Sequence, residues 1–158
     1  MARRILFVCL GNICRSPTAE GVFRQLAARE APELEIDVDS AGTADYHIGS
    51  APDARSQRAA KRRGIDLSGL RARQVTAADF STFDLVLAMD RANLIELEAM
   101  APRRPAATLR LFMDYAPELA VGEVPDPYYG GAAGFDRVLD LCEAASRGLL
   151  AALQKGPH

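Results

Sequence analysis

Cys9 and Arg15, six positions apart in Val8-Cys9-Leu10-Gly11-Asn12-Ile13-Cys14-Arg15-Ser16-Pro17, are the residue types that could do chemistry here. Cysteine is nucleophilic as a thiolate, a form favoured by converging N–H dipoles, a helix N-terminus and a nearby guanidinium. Arginine offers a planar fork that grips two phosphoryl oxygens and keeps its charge at any working pH. Gly11 and Asn12 tolerate the left-handed backbone that turns successive N–H groups inward, making a nest for a tetrahedral oxyanion. The implied ligand is phosphate-like, cradled by Leu10, Gly11, Asn12, Ile13 and Cys14. Ser16, beside the sulfur, is placed to hydrogen-bond the thiolate that leaves a phosphocysteine.

A thiolate that takes a phosphoryl group from an ester must expel an alkoxide or phenolate, which is slow unless an acid protonates the departing oxygen. Asp126 is the candidate. It stands between Pro125 and Pro127 in a long connection, Met113 to Gly134, that opens on the same sheet edge as Cys9. Connections of that length in a compact domain are usually functional or disordered, and the aromatic content of this one argues against disorder. A Pro-Asp-Pro sequence also makes an ordinary turn.

The elements that must position these groups alternate strand and helix. The apolar run Ile5 to Cys9 predicts a first strand, and Ser16 as N-cap with Pro17 as first helical residue predicts a helix over 17–30. That helix carries Val22, Phe23, Leu26 and Ala27 on one face, with Glu20, Arg24 and Arg29 elsewhere on the wheel. Strict alternation over 34–40 predicts an edge strand. A second helix follows from Pro52 to Arg63, stopped by Gly64, with basic residues gathered in its last turn. Those cations complement the helix dipole on a solvated face, or form a docking face for an acidic partner.

Thr76 is expected to cap a short helical turn. Leu85 to Met89 is continuously apolar, as a strand covered on both faces must be. Asp90 predicts an N-cap for a helix through Ala99, and Thr108 to Phe112 alternates as a second edge. The last helix, about Gly134 to Leu153, places Cys142 in the core. Together these predict a single α/β domain over residues 1–158, a doubly wound, four-stranded parallel sheet of order 2-1-3-4 with helices on both faces. Ligands in such folds sit outside the carboxyl ends of the strands where strand order reverses, and Cys9 ends the first strand beside that point.

With 158 residues, 49% of them hydrophobic and 25% charged, the chain can bury its own core without metal or disulfide support. The net charge of −2 gives no basic footprint for nucleic acid. Three cysteines and no plausible export signal point to a reducing, cytoplasmic setting, and no stretch is long enough to span a membrane. Neither a G-x-x-x-x-G-K-[ST] loop nor a G-x-G-x-x-G turn occurs, which removes nucleotide chemistry. His47 and His158 form no ligand cluster, so no metal or other cofactor is expected.

The segment Ile5 to Glu20 resembles the signature of the low-molecular-weight protein tyrosine phosphatases. Ser40-Ala41-Gly42-Thr43, Asp45-Tyr46, Ala72-Arg73-Gln74, Met89-Asp90 and Asp126-Pro127-Tyr128-Tyr129 follow in family order, so the resemblance covers nearly the whole chain. It implies hydrolysis of phosphotyrosine, in a protein or a small aryl phosphate, with Cys9 as nucleophile, Arg15 as phosphate clamp and Asp126 as general acid and base. Inorganic phosphate is the product. It also implies that Tyr46 and Tyr128 wall the cleft, that Asn12 and Ser40 brace the loop, and that Asp90 is a supporting carboxylate, although an N-cap explains Asp90 equally well.

Two features bear on detail. Many members carry a histidine where this chain has Leu70, which puts the bracing of Asn12 and Ser40 in question. The family pattern also implies that Cys14 can trap an oxidised Cys9 as a disulfide, while loop packing explains it as well. Arsenate reductases share the loop but need two further cysteines on a mobile segment, which this chain lacks. Protein-arginine phosphatases favour threonine at the position of Ile13. A module that binds phosphorylated partners without turnover would not need Cys9, Arg15 and Asp126 together.

Overall fold

The computed structural model describes residues 3–156, so His158, one of the two histidines weighed above, lies outside the described residues. Strands β1 (Arg3–Cys9), β2 (Ile36–Gly42), β3 (Leu85–Ala88) and β4 (Thr108–Leu111) form one parallel sheet in the order β2-β1-β3-β4. Helices α1 (Arg15–Glu30), α2 (Ala54–Lys61), α3 (Asp79–Thr82), α4 (Arg91–Met100) and α5 (Ala132–Gln154) connect and cover it. This is the expected architecture.

The burial of β1 explains its central place. Ile5, Phe7 and Cys9 point into a core shared with α1, α2 and α5, whereas Leu6 and Val8 enter a second core with Phe80 of α3 and Leu97 of α4. Over Ile5–Cys9, where helices cover both faces, no position is left for a polar side chain; Arg3 and Arg4 stand at the less buried start of the strand. Phe7 packs edge-on against Phe112, ring centroids 5.0 Å apart, and against Phe23 at 6.0 Å. The outer strands keep exposed positions, such as Asp37 in β2 and Arg110 in β4.

Because β1 lies between β2 and β3, strand order reverses at its carboxyl end, where Cys9 pairs in register with Gly42. A Cβ on Gly42 would stand 2.7 Å from the Leu10 carbonyl oxygen, so only glycine lets the end of β2 lie this close beneath the loop. The N–H groups of Thr43 and Ala44 then donate to the carbonyls of Cys9 and Leu10 at 2.9 and 3.0 Å.

Several boundaries differ from expectation, each for a local reason. Helix α1 starts at Arg15, with Cys14 at the N-cap and Ser16 inside the first turn; the Ser16 hydroxyl is occupied by Cys9 and Asn12 and does not cap. Of the two loop residues expected to be left-handed, only Asn12 is, at φ 57°. Helix α2 begins at Ala54 because the Asp53 carboxylate accepts the Arg55 N–H as N-cap, and Gly64 follows its end at φ 79°. Ala78, not Thr76, stands at the N-cap of α3; there the Asp79 carboxylate accepts the Thr76 N–H at 2.8 Å. Strand β2 is displaced two residues, to Ile36–Gly42, by its pairing along β1, and α5 starts two residues early, at Ala132. The long connection before α5 contains two 3-10 turns, Phe112–Tyr115 and Pro117–Leu119.

Candidate active site

The loop from Cys9 to Arg15 wraps around the cysteine sulfur. Cys9 Sγ receives the Asn12 N–H at 3.3 Å and lies 3.0 Å from Ser16 Oγ. Among the described residues, the N–H groups of Gly11, Ile13, Cys14 and Arg15 have no protein acceptor. Such a run of unclaimed donors at the start of a 16-residue helix suits a tetrahedral anion.

A buried polar network fixes the shape of the loop. Asn12 Nδ2 donates to Ser16 Oγ at 2.7 Å and to Ser40 Oγ at 3.0 Å, while Asn12 Oδ1 accepts the Arg73 N–H at 3.0 Å. Ser40 in turn donates to Glu20 Oε1 at 2.8 Å, and Arg24 holds the other carboxylate oxygen. Burial pushes the Glu20 carboxyl above the ordinary range, and the hydrogen bonds from Ser40 and Arg24 pull the other way. Leu70 takes no part; it packs against the main core. The bracing of Asn12 and Ser40 therefore runs through Glu20 and the Arg73 backbone.

Arg15 is 3% exposed although it carries a full charge. Its Nη1 donates to Asp90 Oδ2 at 2.6 Å and to the Val124 carbonyl at 3.1 Å. Burial would lower the guanidinium pKa, but the charges of Cys9, Asp90 and Asp126 with the Asp90 hydrogen bond outweigh it, so the net shift is upward. Asp90 serves two ends at once: Oδ1 caps α4 by accepting the Asn93 N–H at 2.7 Å, and Oδ2 holds Arg15.

The second Arg15 nitrogen, Nη2, lies 3.7 Å from Asp126 Oδ2, so the carboxylate of the long connection reaches the loop. The Tyr128 N–H closes a turn on Asp126 Oδ1 at 3.0 Å, and Val124 anchors the segment by donating to the Met89 carbonyl at 2.8 Å. The resulting cleft, about 360 Å³, is lined by loop residues including Leu10 and Ile13, and by Tyr46, His47, Asp126, Tyr128 and Tyr129. Cys9 at the floor, a guanidinium beside it and a carboxylate at the rim can together transfer a phosphoryl group and protonate a departing oxygen. No group of three or more His, Cys, Asp or Glu side chains among the described residues could hold a metal ion.

The family model for low molecular weight phosphotyrosine protein phosphatases matches residues 4–157. The chain belongs to this family. It is 43% identical over 151 residues, 96% of each chain, to the low molecular weight protein-tyrosine-phosphatase YfkJ of Bacillus subtilis. A protein tyrosine phosphatase from Entamoeba histolytica, crystallised with Hepes in its active site, superposes with a TM-score of 0.93 at 40% identity, covering 98% of both chains. The structure of a Drosophila arginine phosphatase superposes at 0.89 with 33% identity, covering 95% of this chain and 97% of that one.

Every candidate site residue named from the sequence of this phosphatase lies in the cleft or in the network beneath it. Three contributors were not foreseen. Glu20 falls off the apolar face of its helix by periodicity, yet it is 2% exposed; being four residues after Ser16, it shares the face that meets the sulfur, and that spacing is the available signal. Arg73 acts through its backbone N–H, which no side-chain pattern reveals. His47 packs against Gly11, where an added Cβ would lie 3.0 Å from its ring. Cys14, for its part, is buried beside Ser56, and burial pushes its thiol up to about 12, so it is protonated at neutral pH. A protonated thiol attacks oxidised sulfur slowly. All three cysteines are free.

Proposed function

We propose that this phosphatase hydrolyses phosphotyrosine and related aryl phosphate monoesters through a phosphocysteine, with Cys9, Arg15 and Asp126 carrying the chemistry. The observation that supports this most is the convergence of Cys9 Sγ, the Arg15 fork and the Asp126 carboxylate in a cleft walled by Tyr46 and Tyr128. Arg15 and the free N–H groups of the loop hold the three non-bridging oxygens and oppose the charge that builds on them in the transition state. Cys9 Sγ attacks phosphorus, forming the S–P bond as the ester P–O bond breaks. Asp126 delivers its proton to the leaving phenolate oxygen.

In the second step water attacks phosphorus and gives a proton to Asp126. The S–P bond breaks, inorganic phosphate departs, and the Ser16 hydroxyl and Asn12 N–H receive the released thiolate. Tyr46 and Tyr128 hold the phenyl ring between them, which favours aryl over alkyl esters. The likeness to an arginine phosphatase makes phosphoarginine the competing substrate. Ile13 in the cleft presents an apolar side chain with no hydroxyl for a guanidino group, so the aryl reading is preferred.

Rapid quench of a phosphotyrosine peptide with Asp126→Asn, followed by mass spectrometry, should find a phosphoryl group on Cys9. Turnover without any sulfur adduct would refute the mechanism. Faster hydrolysis of phosphoarginine than of phosphotyrosine in matched peptides would reassign the substrate and leave the mechanism intact.

A further inference from the structure

Beside the cleft, behind the segment that carries Asp126, lies a second hollow of about 220 Å³. Residues 126–132 border both. Asp126, Tyr128 and Tyr129 line the cleft; Gly130, Gly131 and Ala132 line the hollow. The partition between them is a stack of side chains: the Arg55 guanidinium carbon sits 5.4 Å from the Tyr128 ring centroid and 4.7 Å from that of Phe135. Cation–aromatic stacking of this kind holds an arginine in place without neutralising it.

The hollow is lined by three guanidinium groups from α2 and the residue after it, Arg55, Arg58 and Arg62, and by no carboxylate. Their outside partners are unequal. Arg55 is fixed by Asp53 at 2.9 Å. Arg62, 60% exposed, reaches Asp136 only at 3.7 Å and shares that carboxylate with Arg63. Arg58 is exposed and has no carboxylate within 4 Å among the described residues. Arg63 makes the contrast plain, since it faces Asp136, Asp140 and Glu143 of α5 and thereby ties the two helices together. The arginines in and just after α2 thus divide: Arg63 ties the helix to α5, Arg55 is held by Asp53, and Arg58 and Arg62 face the hollow.

We infer that this hollow is a substrate subsite for a second anionic group, a carboxylate or a phosphate, carried within a few residues of the phosphotyrosine. The inference rests on the reading that the cleft takes a phosphotyrosyl side chain. An extended peptide advances about 3.3 Å per residue, so a short flanking segment crosses the Tyr128–Arg55 partition. Guanidinium forks suit both carboxylate and phosphate, and the two glycines leave the mouth free of side chains. Each exposed charge pair changes affinity by only a few-fold, so the subsite selects among peptides and leaves small aryl phosphates unaffected.

The test compares kcat/KM for p-nitrophenyl phosphate and for three phosphotyrosine peptides that differ only in the flanking positions: neutral, glutamate-bearing, or carrying a second phosphotyrosine. Native protein should favour the acidic peptides over the neutral one by roughly three- to ten-fold at low salt, and the preference should fade as ionic strength rises. Arg58→Ala combined with Arg62→Ala should erase it while leaving p-nitrophenyl phosphate within about two-fold. A margin for the doubly phosphorylated peptide over the glutamate one assigns the hollow to phosphate; equal preference assigns it to either anion. If native protein turns over all three peptides alike, or the variant loses p-nitrophenyl phosphate activity in parallel, the subsite is refuted and the phosphatase reading stands. Failure of native protein to hydrolyse any phosphotyrosine compound overturns both.

Discussion

The floor and the walls of the cleft are built by opposite means. On the floor, Asn12, Arg15, Ser16, Ser40 and Glu20 are all buried, and each is held by at least one side-chain hydrogen bond to another part of the fold. On the walls, Tyr46 is 71% exposed, the Asp126 side chain 43% and Tyr129 95%, and apart from the 3.7 Å approach of Asp126 to Arg15 their contacts are local turns and rings. The difference follows from what each must do. A phosphoryl group is the same in every substrate, so its cradle can be rigid and made before binding, with no reorganisation needed in the transition state. The walls meet substrates of varied shape, so a partly solvated surface serves them better. Floor substitutions should therefore alter both stability and turnover, and wall substitutions turnover alone.

The largest expected effect is at the one floor residue whose replacement spares the network. Cys9→Ser keeps a hydrogen-bonding group beside Ser16 and Asn12 but removes the proposed nucleophile, so release of phenol should cease while the unfolding midpoint stays close to native. Loss of folding together with activity would show that the sulfur is itself part of the bracing.

Asp126→Asn comes next and probes the wall. Removing a general acid costs about 10²–10⁴-fold when protonation of the leaving oxygen limits the rate. Aryl phosphates with poor leaving groups should fall by that order, those with good leaving groups far less, and stability should remain within about 0.5 kcal/mol, as for an exposed side chain. Equal loss for both leaving groups would remove Asp126 from the proton transfer.

Asn12→Ala tests the claim that the floor is one unit. It leaves the Arg73 N–H without its acceptor and removes a donor from Ser16 and from Ser40, which keeps Glu20; an unpaired buried polar group costs about 1–3 kcal/mol. The same variant should lower kcat/KM for every aryl phosphate regardless of leaving group, because the cradle and not the acid is damaged. Denaturant unfolding and a leaving-group series separate these two outcomes. A purely kinetic effect would mean that the network is less connected than its hydrogen bonds suggest.

How much of this could be read from the sequence depended on how far each interaction reaches. The strand order was legible because burial on both faces leaves Ile5–Cys9 and Leu85–Met89 without polar positions, whereas edge strands alternate. That Cys9, Arg15 and Asp126 belong to one cleft was legible because the residues that mark each of them are adjacent in the chain. Glu20 was hidden because its partner, Ser40, lies twenty residues away on another element. The Arg73 N–H was hidden for the same reason at sixty-one residues, and because a backbone donor leaves no mark on residue type. Ser16 misled in a different way. Its propensity for an N-cap is real, but the sulfur and Asn12 compete for the same hydroxyl, and tertiary context decided the outcome.

Asp53 is the joint between the two regions, and the smallest predicted effect lies there. Its N–H donates to the Ile13 carbonyl of the floor at 2.8 Å, its carboxylate caps α2, and it holds the Arg55 that stacks on Tyr128 of the wall. The hydrogen bond from Arg55 holds the Asp53 carboxyl below the usual carboxylate range, against a smaller opposing effect of burial. A carboxyl whose folded pKa is depressed stabilises the fold above its unfolded pKa, near 3.9, and that contribution is lost as pH falls through the folded value. Asp53→Ala should therefore cost about 1 kcal/mol near neutral pH, as the loss of an N-cap does, and progressively less in acid until the variant and native curves meet. Because the backbone N–H to Ile13 survives the substitution, binding of inorganic phosphate to the floor should hold while KM for aryl phosphates rises. A loss of phosphate affinity as large as the rise in KM would mean that floor and wall are not separable at this residue.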